Sequence, residues 1–88
     1  MNELRDRYRE QSLPRLAEMR AALEALPDGD ARQRLLRHFH AFSGMGGTYG
    51  FPRVSVLGDE GEGLFGAPEA EAVARWRELV DEIERELC

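Results

Sequence analysis

The sequence holds one cysteine, Cys88, and it is the last residue, so neither a disulfide framework nor a multi-thiol metal site can form within the chain. No apolar run approaches the roughly 20 residues of a membrane span. The stretch Met1-Asn2-Glu3-Leu4-Arg5-Asp6-Arg7 is charged and leads into no apolar segment of the kind a signal peptide carries, so the expected compartment is cytoplasmic. A basic excess is missing as well. The formal net charge of −5 argues against nonspecific nucleic-acid binding by the chain as a whole. Strand-like alternation of apolar and polar residues is absent. Eighty-eight residues suit one domain with a modest core and are too few to enclose a deep substrate pocket.

What the sequence does contain is helical periodicity broken by proline and glycine. Residues Asn2 to Gln11, with Leu4 and Tyr8 as an apolar pair, read as a short helix across one end of the main body. Ser12 as N-cap and Pro14 in the first turn would open a second helix, which runs to about Leu26 on Leu16, Met19, Leu23 and Leu26. Pro27-Asp28-Gly29-Asp30 is a turn, after which Asp30 can cap a third helix over about Ala31 to Tyr49, with Gly50 just past its end. Pro52 opens a fourth helix with Val54, Leu57, Gly61 and Leu64 inward. Its three glycines, Gly58, Gly61 and Gly63, are unfavourable for helix, and the alternative is a helical turn followed by a loop. The last helix, Pro68 to about Leu87, has the clearest amphipathic pattern: Ala72, Val73, Trp76, Leu79, Val80, Ile83 and Leu87 face inward. Short connections make neighbours antiparallel, so the expected fold is all-α: an antiparallel up-and-down four-helix bundle with an additional short N-terminal helix, spanning residues 1 to 88 as one domain.

The stretch from Leu35 to Pro52 carries the chemistry. Leu35, Phe39, Phe42, Gly46 and Tyr49 recur at spacings of three and four and form an inward stripe. His40 lies on the flank of that stripe, with Arg37, Ser43, Gly44 and Gly47 as neighbours one and two turns away. Each glycine inside a helix costs roughly 1 kcal/mol relative to alanine, so Gly44, Gly46 and Gly47 need a physical reason. Gly44 and Gly47 clear the face around the imidazole. Gly46, on the inner stripe, lets a facing helix come close. Imidazole, with an unperturbed pKa of about 6.5, offers a neutral nucleophilic nitrogen at cellular pH. His38 sits roughly 200° around the helix from His40 and should be a surface or edge histidine; the two cannot chelate one metal ion, and no metal site is expected.

At these residues the sequence resembles the histidine-phosphotransfer domain family. The pattern is a phospho-accepting histidine, an apolar residue two later, a glycine four later, a small-residue run, an aromatic nine later and a glycine ten later. Here these are His40, Phe42, Gly44, Met45-Gly46-Gly47, Tyr49 and Gly50. The resemblance implies a phosphorelay intermediate of two-component signalling: a phosphoryl carrier without its own ATP site, exchanging with an aspartate of a receiver domain or taking the group from a histidine kinase. It implies His40 as phosphoacceptor, Arg37 and Ser43 as phosphoryl contacts, and Leu36, Gly44 and Gly47 as the docking surface of a monomer. No cofactor is implied beyond Mg2+ held by the partner receiver. Many members have lysine three residues after the histidine, where this chain has Ser43. A charge-assisted contact would there become a hydroxyl hydrogen bond of about half the strength.

Other readings compete. The same shape could serve as a non-phosphorylated interaction module that binds a receiver or kinase. Arg32, Arg34 and Arg37, in a segment from Ala31 to His40 without acids, make a locally basic face that would steer His40 toward an acidic partner; they could equally be solvated, or touch nucleic acid. The glycine cluster is not a phosphate-cradling loop, since it ends a helical stripe and lacks the Gly-Lys-Ser/Thr ending. Phe39, Phe42, Tyr49 and Trp76 read as core, with Tyr49 or Trp76 able to place a polar atom at the surface. The acidic run Asp59-Glu60-Gly61-Glu62 reads as solvated surface.

Overall fold

Proline at position 14 does not break the first helix. The computed structural model describes residues 3–88, and its first helix, α1, runs unbroken over Glu3–Ala25. The expected short N-terminal helix and the helix after it are therefore one; the start at Asn2 lies outside the described residues. Ser12 is not a cap. It is buried mid-helix, where its hydroxyl donates to the Tyr8 carbonyl one turn back at 2.7 Å. Pro14 is exposed, and the packing of Leu16, Met19 and Leu23 into the core outweighs its local cost of about 3 kcal/mol.

The second helix, α2, covers Gly29–Met45. Its N-cap is Asp28 and not Asp30: the Asp28 carboxylate accepts from the Ala31 amide at 2.9 Å, and Asp30 sits in the first turn. The helix also ends earlier than its apolar stripe. After Met45 the chain tightens into turns, with the Phe51 amide returning to the Gly46 carbonyl at 2.8 Å, and Gly50 takes φ +93, a left-handed conformation suited to glycine. Tyr49 lies outside the helix, stacked on Tyr8 with ring centroids 4.9 Å apart. The beginning of α1 thus does cover the end of the bundle.

The third helix, α3, spans Pro52–Gly63 with proline at its start and is helical despite its glycines. A 3-10 turn, Leu64–Gly66, leads to α4, Glu69–Leu87, capped by Pro68. No strand occurs among the described residues.

Contacts between the helices fix their directions. Arg15 lies over Phe42 and Glu18 reaches His38, Gly46 meets Ser55 and Phe39 meets Gly61, Glu60 pairs with Arg75 and Arg53 with Glu82, and Arg20 pairs with Glu84 and Glu24 with Arg77. Each pairing runs opposite in sequence, so successive helices are antiparallel and α4 returns to α1, which closes a four-helix bundle. Trp76, Phe39, Phe42 and Met19 are the largest side chains sealed inside. Each such burial contributes about 1.5–3 kcal/mol.

Candidate functional site

The seam between α2 and α3 is built on glycine. A Cβ on Gly46 would sit 2.9 Å from the Ser55 amide nitrogen; one on Gly58 would sit 2.6 Å from the Ser43 amide nitrogen and 2.8 Å from the Phe39 carbonyl; one on Gly61 would fall 2.3 Å from the Phe39 ring. All four distances are too short for a real side chain, so at Gly46 and Gly58 the two backbones approach as only glycine allows, and at Gly61 the Phe39 ring takes the side-chain space. The close approach expected of Gly46 is thereby met, and two more glycines on α3 extend it. Ser55 clips the seam at its far end, accepting from the Gly47 amide at 2.7 Å and donating to the Phe42 carbonyl at 3.3 Å.

On the outer rim of this seam stands His40. Its side chain is 74% exposed, and its Nδ1 lies 2.8 Å from Oε2 of Glu62 on α3. A carboxylate accepts and cannot donate, so Nδ1 carries a ring proton, and in the neutral ring the lone pair is on Nε2. Nε2 has no hydrogen-bond partner among the described residues. The arrangement offers a nucleophilic nitrogen to an approaching molecule while a carboxylate steadies the other side of the ring.

Around His40 the expected residues are arranged unequally. An added Cβ on Gly44 would meet nothing within 4 Å, and one on Gly47 only Ser55 Oγ at 3.4 Å, so both glycines leave the face bare. Arg37 is exposed and has no ion pair among the described residues, while Ser43 and Leu36 are half-buried. Arg32 departs from the expected basic face. It turns toward the other end of the bundle, pairing with Glu69 at 2.9 Å, donating to the Phe65 carbonyl at 3.1 Å and lying over the Phe65 ring. Arg34 and Arg37 are what is left of that face.

Of the surface or edge position expected for His38, the structure shows the edge one. Only 14% of its side chain is exposed, and it is held between two residues of α1: Arg15 at 2.9 Å from Nδ1 and Glu18 at 2.8 Å from Nε2. Arginine can only donate, so Nδ1 accepts and Nε2–H points to Glu18. Burial first, and then the Arg15 charge, push the His38 pKa below its ordinary value, and Glu18 partly opposes them.

Glu62 is the residue that sequence reasoning missed. It lies 22 residues from His40, and only the pairing of α2 with α3 brings them together. Its neighbour Glu60 is not merely solvated either: Arg75 binds it through two contacts, at 2.5 and 2.9 Å, which holds the Glu60 carboxyl below the usual range. Trp76 likewise keeps no polar atom at the surface, since its buried indole N–H donates to the Gly61 carbonyl at 2.9 Å.

Among the described residues no cluster of three or more His, Cys, Asp or Glu could hold a metal ion, and no helix is long and apolar enough to cross a membrane. A groove of about 380 Å³ lies on the α1–α4 seam, away from His40; its charged groups Arg20, Glu24, Arg77 and Asp81 are all in ion pairs across that seam.

Comparison with curated proteins and with solved structures returned no match. The family model of the Hpt domain, by contrast, matches residues 3–87. That range takes in all four helices, and Hpt domains are helical phosphocarrier modules with a histidine-phosphotransfer role in two-component signalling. The chain belongs to the Hpt domain family.

Proposed function

We propose that His40 is the phosphoacceptor and that the whole chain acts as one phosphorelay carrier, exchanging the group with an aspartate of a response-regulator receiver domain or receiving it from a sensor histidine kinase. The observation that carries this reading is the state of the His40 ring: largely exposed, proton held on Nδ1 by Glu62, lone pair available on Nε2, next to the bare face at Gly44.

In the forward step the Nε2 lone pair attacks phosphorus of the receiver's aspartyl phosphate. The nitrogen–phosphorus bond forms as the phosphorus–oxygen bond breaks, and the aspartate leaves as a carboxylate. The ring gains positive character, which the Glu62 carboxylate stabilises through Nδ1–H. In the return step the same proton lets the ring leave as neutral imidazole. Arg37 neutralises charge on the phosphoryl group, Ser43 hydrogen-bonds it, and Leu36, Gly44 and Gly47 form the surface on which the partner docks as this protein stays a monomer in the cytoplasm. Mg2+ for the transfer is the receiver's.

Intact mass after incubation with phosphoramidate, or with a phosphorylated receiver, tests this. One acid-labile phosphoryl adduct on wild type and none on His40→Gln is expected. No adduct from any donor on folded wild type would overturn it. Ser43, in place of the common lysine, favours a second reading, a module of the same shape that binds a receiver without phosphorylation. Receiver binding that is indifferent to His40→Gln, with no adduct, is its signature.

A further inference from the structure

Two neighbouring pairs of residues cross the α2–α3 seam at the same level. The outer pair is His40 with Glu62. The inner pair is Phe39 with Gly61, each one residue earlier in its helix, and here the Phe39 ring fills the space where a side chain on Gly61 would stand. The width of the inner contact therefore fixes the reach of the outer one.

Gly61 is held from the other side as well. Its carbonyl is among the last four of α3, which a helix leaves without a donor of its own. Trp76 of α4 supplies that donor at 2.9 Å, fully buried. Phe65 closes the surround, 4.4 Å from the Trp76 ring and edge-on to Phe39 at 6.5 Å. A shift of Gly61 would take its buried carbonyl away from the Trp76 donor and push into the ring cluster of Phe39, Phe65 and Trp76, so the residue is held in place.

The geometry points to Phe39, Gly61 and Trp76 as positioning residues for phosphotransfer: together they set α3 at the distance where Glu62 holds the proton on Nδ1 of His40. This rests on the reading of His40 and Glu62 given above. It links the Trp76 N–H of α4 to the tautomer of the reacting ring.

Long-range 1H–15N spectra of the two imidazoles, together with phosphorylation rates from phosphoramidate, test it on the full chain. In wild type the His40 proton resides on Nδ1. Glu62→Ala moves it toward Nε2 and slows phosphorylation about tenfold. Gly61→Ala, which drives a methyl into the Phe39 ring, and Trp76→Phe, which keeps the aromatic volume and removes the N–H, are expected to reproduce both changes with the fold retained by circular dichroism. Phe39→Leu combined with Gly61→Ala relieves the clash and restores the wild-type tautomer and rate. Wild-type behaviour in folded Gly61→Ala and Trp76→Phe, or no recovery in the double variant, overturns the proposal; if Gly61→Ala does not fold, Trp76→Phe alone decides. Glu62→Ala with unchanged tautomer and rate refutes the role of Glu62 itself, a failure distinct from that of the positioning residues.

Discussion

His38 and His40 stand two residues apart on α2 and face different helices, His38 between Arg15 and Glu18 of α1 and His40 toward Glu62 of α3. One histidine ties α2 to α1 and the other is exposed on the rim of the α2–α3 seam.

The half-buried one makes stability depend on pH. The folded His38 pKa is depressed below the unfolded value of about 6.5. Between the two values the unfolded chain binds more protons than the folded one, so stability rises with pH across that window. The His38 contribution is complete above about pH 6.5 and is lost as pH falls toward the folded value. Urea midpoints between pH 5 and 8 should therefore drop on the acid side, and Arg15→Gln, by removing a repelling charge, should flatten this part of the profile. An unchanged slope in Arg15→Gln would assign the effect to burial and the Arg37 charge.

Pro14 is a local cost retained within α1. It is exposed, it sits in the interior of a continuous helix, and alanine fits the same backbone. Pro14→Ala is expected to stabilise the protein by about 1–3 kcal/mol, seen as a higher denaturation midpoint.

Glycines of α3 differ in what they permit. Gly58→Ala places a methyl against backbone atoms of α2 and should destabilise by about 1–3 kcal/mol. Gly63→Ala meets nothing within 4 Å and should stabilise, by up to roughly 1 kcal/mol. The opposite signs in one set of urea titrations would verify the seam.

Gly44 tests clearance without stability loss. Space around it is open, so Gly44→Leu should leave the unfolding midpoint unchanged or raised while slowing phosphoryl exchange with a receiver by about tenfold. Equal exchange rates would mean that the partner approaches from elsewhere.

Much of this architecture was legible because it is periodic. The α4 stripe from Ala72 to Leu87 and the start of α3 at Pro52 follow from local pattern and backbone chemistry. So did the exposure of His40 beside Gly44, since both belong to one helix face. What escaped was decided by tertiary contact. Pro14 reads as a boundary, yet the core contacts beyond it carry the helix through. Tyr49 keeps the α2 period and still leaves the helix, because Tyr8 offers a stacking partner and Gly50 a left-handed turn. Arg32 looks like part of a basic face until Glu69 and Phe65 are brought beside it. Glu62 is the sharpest case, for nothing in its own neighbourhood marks it as a partner of His40.

The glycine content of α3 has a consequence for how the site fails. Gly58, Gly61 and Gly63 within 12 residues lower its intrinsic helicity by about 3 kcal/mol, so α3 is held helical by its packing on α2 and α4. Any event that parts the two helices unwinds the segment carrying Glu62 as well as removing it from His40. Placement of the proton on Nδ1 of His40 is thus lost together with local helix when the α2–α3 seam opens, whereas substitutions that leave the seam closed alter it by degrees.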